Sequence, residues 1–214
     1  MAKRILFVMS CMALVSAGPV FSQCADPTNM LSSDYCGFDT AGSVDETTGW
    51  WNMVPELPGD PLWGTVVHSA AGGRTSPGSM AGTSFDNGPP PMGWGSLIGV
   101  RYCFPAVVNP GDQIGFGAWV NVTTGMATHC ETVVFSSSSP TCAGSWEQAF
   151  SSNAALSGWS KVNSTDAILS ATVAATHLEL RVACYGMAEF TASFDDAYVG
   201  LNMVPVQLQS FSIE

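Results

Sequence analysis

The chain has 214 residues, a net charge of −11, 46% hydrophobic residues and only 11% charged ones. A surface this acidic repels phosphate backbones and anionic lipid, which argues against nucleic-acid and membrane-surface partners. The length suits one well-cored domain, and the Pro and Gly residues are scattered as turn punctuation rather than gathered into a linker.

Residues 1–22 read as a secretory signal peptide: Lys3 and Arg4, an apolar run over 5–15, then Ala17, Gly18 and Ser22 as small residues around a cleavage site. Bacterial export to the extracellular space or cell surface is the expectation. No later stretch is apolar for long enough to span a bilayer, so no membrane insertion is expected. Cleavage leaves Arg74, Arg101, Lys161 and Arg181 as the basic side chains against 17 acidic ones. Cys11 also leaves. The even set that remains, Cys24, Cys36, Cys103, Cys130, Cys142 and Cys184, argues for disulfides rather than metal thiolates, and no C-x-x-C pair points the other way. A Ser-rich turn between Cys130 and Cys142 favours bonding those two, which leaves Cys24 with Cys36 and Cys103 with Cys184 as the simplest completion.

Helical periodicity is hard to find, whereas short alternating apolar runs bounded by Gly, Pro, Asn and Ser recur, which is the pattern of an all-β sandwich or barrel. In chain order, 29–35 and 63–69 are the first expected strands, and 74–91 reads as loop. Residues 96–106 form a strand with Ile98, Val100, Tyr102 and Phe104 on one face and Arg101 and Cys103 on the other. After a Pro-Gly-Asp turn, 113–122 has the clearest pattern: Ile114, Phe116, Ala118, Val120 and Val122 point one way, which puts Trp119 on the outer face of its sheet. Further strands are expected at 127–135, 147–150 and 159–162, with 168–175 less clear. Residues 177–185 place Leu178, Leu180, Val182 and Cys184 inward and Glu179, Arg181 and Tyr185 outward. In the last strand, 189–201, apolar parity slips from Phe190 and Phe194 to Ala197 and Val199, which predicts a bulge at Asp195 and Asp196.

Four motifs in this order resemble a known family. They are Asn-x-Leu with Gly-Phe-Asp and Gly-Trp over 29–51, Pro-Gly-Asp-x-Ile-x-Phe-x-Ala-Trp-Val over 110–120, Gly158-Trp159, and Phe-Asp-Asp-Ala-Tyr-Val over 194–199. Together they resemble carbohydrate-binding modules with a galactose-binding-like jelly-roll fold, of the kind appended to cellulases and xylanases. Asp39 stands where that family commonly has Glu, and the extra cysteines are a departure from its pattern. The resemblance implies a jelly-roll β-sandwich of two antiparallel sheets over 23–201. It also implies a structural calcium ion bridging the first and last strands through Asp39 and Asp195 or Asp196. Calcium takes six to eight oxygen ligands, which carboxylates and carbonyls of two adjacent segments can supply.

The function implied is binding of a polysaccharide or glycan without catalysis, by exposed aromatic rings that stack on pyranose faces. Trp119 and Tyr185 are the outward rings, with Arg181 two positions before Tyr185, while Trp63 and Trp94 sit by Gly/Pro-rich loops where a platform can form. Trp50 and Trp159, each following Gly, read as packing residues. An enzyme is not expected: there is no G-x-S-x-G elbow or H-E-x-x-H helix, and His68, His129 and His177 lie on separate segments. The alternative is an extracellular structural, adhesion or appendage subunit that has the fold without the sugar site. The tail, 202–214, alternates apolar and polar residues and bears on this alternative as an extra edge strand, a sorting signal or a donor strand for self-assembly.

Overall fold

The computed structural model describes residues 23–39, 50–52, 64–75, 77–84, 96–144, 147–154, 158–163 and 169–202. The signal segment, the tail beyond 202, and Trp63 and Trp94 lie outside the described residues.

The strands are β1 (Trp51–Asn52), β2 (Gly64–Ser69), β3 (Ser79–Ser84), β4 (Ser96–Val108), β5 (Gln113–Thr124), β6 (Ala127–Ser137), β7 (Glu147–Ala154), β8 (Ser160–Asn163), β9 (Leu169–Ser170), β10 (Ala175–Gly186) and β11 (Thr191–Leu201). They form an antiparallel sandwich. One sheet has five strands in the order β1-β4-β10-β6-β7, and the other has six, β2-β3-β11-β5-β8 with β9 also on β5. Alternation explains why these segments become strands: Ile114, Phe116, Ala118 and Val120 of β5 are buried, as are Leu178, Leu180, Val182 and Cys184 of β10. These two inward faces meet in one core with Phe104, Phe190, Phe194 and Val199. Burying such side chains contributes roughly 1.5–3 kcal/mol each, which is what holds the sheets together.

Two local expectations change. Residues 29–35 do not form a strand. Met30 donates one backbone bond to Val199, after which the chain turns into a short helix, α1 (Ser33–Cys36). Ser32, Ser33 and Asp34 favour a helix start over a strand, and the Cys24–Cys36 bond ties the turn to the short 3-10 turn at 23–25. Within 74–91, expected as loop, β3 pairs along its length with β2 and over Thr191–Phe194 with β11. Its sequence, SMAGTS, has little β propensity of its own; pairing on both edges makes the strand. Gly82 is required there, because a Cβ would lie 2.2 Å from the Thr65 carbonyl oxygen.

The cysteines pair as Cys24–Cys36, Cys103–Cys142 and Cys130–Cys184. The expected Cys130–Cys142 and Cys103–Cys184 bonds are therefore corrected. Sheet order is the reason. Cys130 on β6 and Cys184 on β10 stand directly opposite each other on the inward face, with Cα atoms 4.0 Å apart. Cys103 points outward from β4, where the loop after β6 brings Cys142 to it.

Trp50 has the packing role expected of it. It is fully buried against Phe38 and Tyr102, and its indole N–H donates to the Tyr35 carbonyl at 2.8 Å.

Candidate functional site

The acidic pair of β11 sits at an interruption of the ladder, as the parity slip predicts. The register with β5 shifts between Asp195 and Tyr198, and Asp196 has a φ of 47°. A left-handed residue within a strand turns its side chain out of the alternation, so both carboxylates end up fully buried, while Ala197 and Val199 return to the core.

What the carboxylates meet is an arginine. Arg74, in the loop between β2 and β3, donates from its backbone N–H to Asp195 Oδ2 at 2.6 Å and from its guanidinium to Asp196 Oδ2 at 2.6 Å. The Thr75 hydroxyl donates to Asp196 Oδ1 at 2.7 Å, and the Cys24 sulfur lies 3.4 Å from the same oxygen. Asn29 completes the closure, accepting the Val199 N–H at 3.2 Å and donating to the Ala197 carbonyl. The start of the domain is thus clasped to its last strand by hydrogen bonds beside a disulfide, and the β2–β3 loop is clasped to the same strand by an ion pair.

This arrangement does not suit calcium. Asp39 is exposed, and among the described residues it accepts a bond only from the Gly78 N–H, at 3.4 Å. Among the described residues the group with ligand atoms close together is Cys24, Cys36 and Asp196, but the two sulfurs are bonded to each other. A hard cation needs oxygens, and Asp196 Oδ2 already carries a guanidinium.

Burial pushes the Asp195 carboxyl up to about 7, with the Asp196 charge adding to the rise and the backbone N–H of Arg74 opposing it. A folded pKa above the unfolded value means that the native state holds this proton between about pH 4 and pH 7. Its contribution is full below the unfolded pKa and is lost as pH rises through 7. Denaturation midpoints should therefore fall with rising pH over this window, at a slope of up to about 1.4 kcal/mol per pH unit. Asp195→Asn should remove that component, and a slope unchanged in the variant would refute the assignment.

Trp119 lies across the ladder from Asp195 on one side and from Lys161 on the other. It is outward on the six-stranded sheet, as predicted, and half-buried, with the Arg74 guanidinium 3.5 Å from its ring centroid. Its indole nitrogen is buried and has no hydrogen-bond partner among the described residues. Tyr198, opposite the side-chain-free Gly117, is buried next to this position, with the Lys161 ammonium 5.0 Å from its ring. Burial, and then the Arg74 charge, hold the Lys161 pKa below the usual lysine value. Asn121, Ser193, Thr83 and Thr191 occupy outward register positions around this patch.

Arg181 and Tyr185 are on the opposite side of the molecule, on the outer face of the five-stranded sheet. Arg181 pairs with the buried Glu179 and lies over the Phe135 ring. Tyr185 stacks on His129, with centroids 4.7 Å apart, and donates to Glu131 at 2.7 Å. Desolvation, reinforced by that bond, raises the Tyr185 pKa. The structure therefore does not bring Trp119 together with Arg181 and Tyr185. The residues that do join Trp119 are Arg74, Lys161 and Tyr198, and the sequence offered one signal for them: Arg74 and Lys161 are two of the few basic residues in an acidic chain. Among the described residues the histidines form no common centre, since His68 is bonded to the Phe38 carbonyl, His129 stacks on Tyr185 and His177 contacts Thr176.

No protein-family model matches the sequence, and no curated protein matches it. Solved structures do match in fold. The CBM22-1 xylan-binding domain of Xyn10C from Paenibacillus barcinonensis superposes with a TM-score of 0.50 at 15% identity, over 79% of this chain and 93% of that one. The stig cyclase Fisc from Fischerella sp. TAU gives 0.51 at 13% identity, over 79% and 96%. The enzymatically active domain of bacteriophage CBA120 tailspike protein 4 gives 0.52 at 11% identity, over 81% of this chain; this chain spans only 21% of that one. At such identities the likeness is one of architecture, and the architecture is the jelly-roll β-sandwich found in carbohydrate-binding modules.

Proposed function

We propose that the protein is an exported, non-catalytic glycan-binding module whose contact surface is the outer face of the six-stranded sheet around Trp119. The observation that carries this reading is the face itself: a half-buried tryptophan, its indole nitrogen buried without a hydrogen-bond partner among the described residues, set among hydroxyl and amide side chains. Such a surface combines an apolar ring for a pyranose face with groups that hydrogen-bond its hydroxyls. The face that bears Tyr185 and Arg181 is the weaker candidate, because its charged and phenolic groups are already bonded to one another. Trp63 and Trp94 are proposed as additional contacts from loops. The three disulfides support an oxidising destination after removal of residues 1–22.

Pull-down on insoluble polysaccharides and a glycan array test the reading. Trp119→Ala should weaken binding tenfold or more, about 1.4 kcal/mol, whereas Tyr185→Ala should leave it within twofold. The reverse order would move the site to the other sheet. An absence of glycan binding together with multimers in sedimentation would instead support the structural-subunit alternative, with 202–214 as the linking strand.

A further inference from the structure

The calcium implied by the resemblance and the residues at that position disagree, and the disagreement has a specific form. The position between the acidic pair is filled from within the chain. Asp195 and Asp196 are fully buried, and a carboxylate in that state requires a cation or several donors. Arg74 provides both, through its main-chain N–H on Asp195 and its guanidinium on Asp196. The guanidinium contact, 2.6 Å, is close to the 2.3–2.6 Å span of calcium–oxygen bonds. The Arg74 side chain is 14% exposed while that of Asp196 is fully buried, so the arginine reaches from near the surface to the buried carboxylate.

We infer that Arg74 is a built-in cation that makes the clasp independent of metal, and that shortening it converts the clasp into a calcium site. Without the guanidinium, Asp196 Oδ2 loses its cation, and the Thr75 hydroxyl on Oδ1 of the same carboxylate and the neighbouring Asp195 carboxylate are the further oxygens at hand. The Arg74 backbone N–H still holds Asp195, so the loop keeps one of its attachments. Calcium is the cation expected there, because it accepts an irregular set of oxygens completed by water, whereas magnesium demands a near-octahedral one and dehydrates reluctantly. This inference concerns the clasp alone and stands whether or not the Trp119 face binds a glycan.

Thermal melting of the full secreted chain tests it, in EDTA and in millimolar CaCl2 or MgCl2. The wild-type midpoint should be the same in all three, and Arg74→Lys, which keeps a positive charge, should behave likewise. Arg74→Ala should melt well below wild type in EDTA and regain several degrees in calcium but not in magnesium, because an ion that binds only the native state raises its stability by linkage. If Arg74→Ala is unfolded in EDTA, refolding from urea with and without calcium reads the same effect as folded yield. A wild-type midpoint that falls in EDTA would overturn the inference, as would an Arg74→Ala variant whose melting and refolding ignore calcium.

Discussion

Replacing Asp196 with alanine is expected to cost about 3–5 kcal/mol of stability, because it leaves a largely buried guanidinium without its counter-charge. The Thr75 hydroxyl loses its acceptor in the same step. Alanine must also adopt the left-handed conformation that Asp196 holds, which adds roughly 1–2 kcal/mol. Asp196→Asn keeps the shape and tolerates that backbone, so it should lose less. Urea denaturation of the single variants and of Arg74→Met with Asp196→Met separates these terms. The double variant should be markedly more stable than the summed losses indicate, since it removes both charges together. Simple additivity would mean that the 2.6 Å contact contributes nothing in solution.

The second large effect is expected at Cys130 and Cys184. Changing both to alanine should cost about 4 kcal/mol, the loop-closure estimate for a bond spanning 54 residues. Both sulfurs are in the core, so the lost packing adds to that loss. The same change at Cys24 and Cys36, which close a span of 12, should cost about 3 kcal/mol. Denaturant midpoints measure the difference, and peptide mapping without reduction checks the pairing directly. A peptide joining Cys130 to Cys142 would refute the sheet order, because β10 places Cys184 opposite Cys130.

These residues show how far the sequence could be read. Strands β4, β5, β6 and β10 were legible because alternation with a period of two is written into each segment, and burying one face of each is what drives the sheets together. The bulge on β11 was legible for the same reason, as a change of parity across Asp195 and Asp196. Strand β3 was not, because its small residues take their conformation from neighbours on both edges. The disulfides failed where distance along the chain stood in for distance in space. Parity held the better clue: Cys103 reads outward and Cys184 inward, so two cysteines of adjacent strands in one sheet cannot bond across that difference.

The candidate site followed the same division. That Trp119, Tyr185 and Arg181 point outward is a local property, and alternation alone assigned it. Which of them share a surface depends on which sheet each strand joins, and that placed Trp119 on one side of the sandwich and the other two on the opposite side. Likewise, the parity slip placed a bulge at Asp195 and Asp196, and the resemblance implied a cation joining one of them to the early Asp39. Only the tertiary structure decided the cation. Arg74 lies more than a hundred residues from the aspartates it serves, and no local pattern encodes a contact made by folding a glycine-flanked loop over the middle of a distant strand.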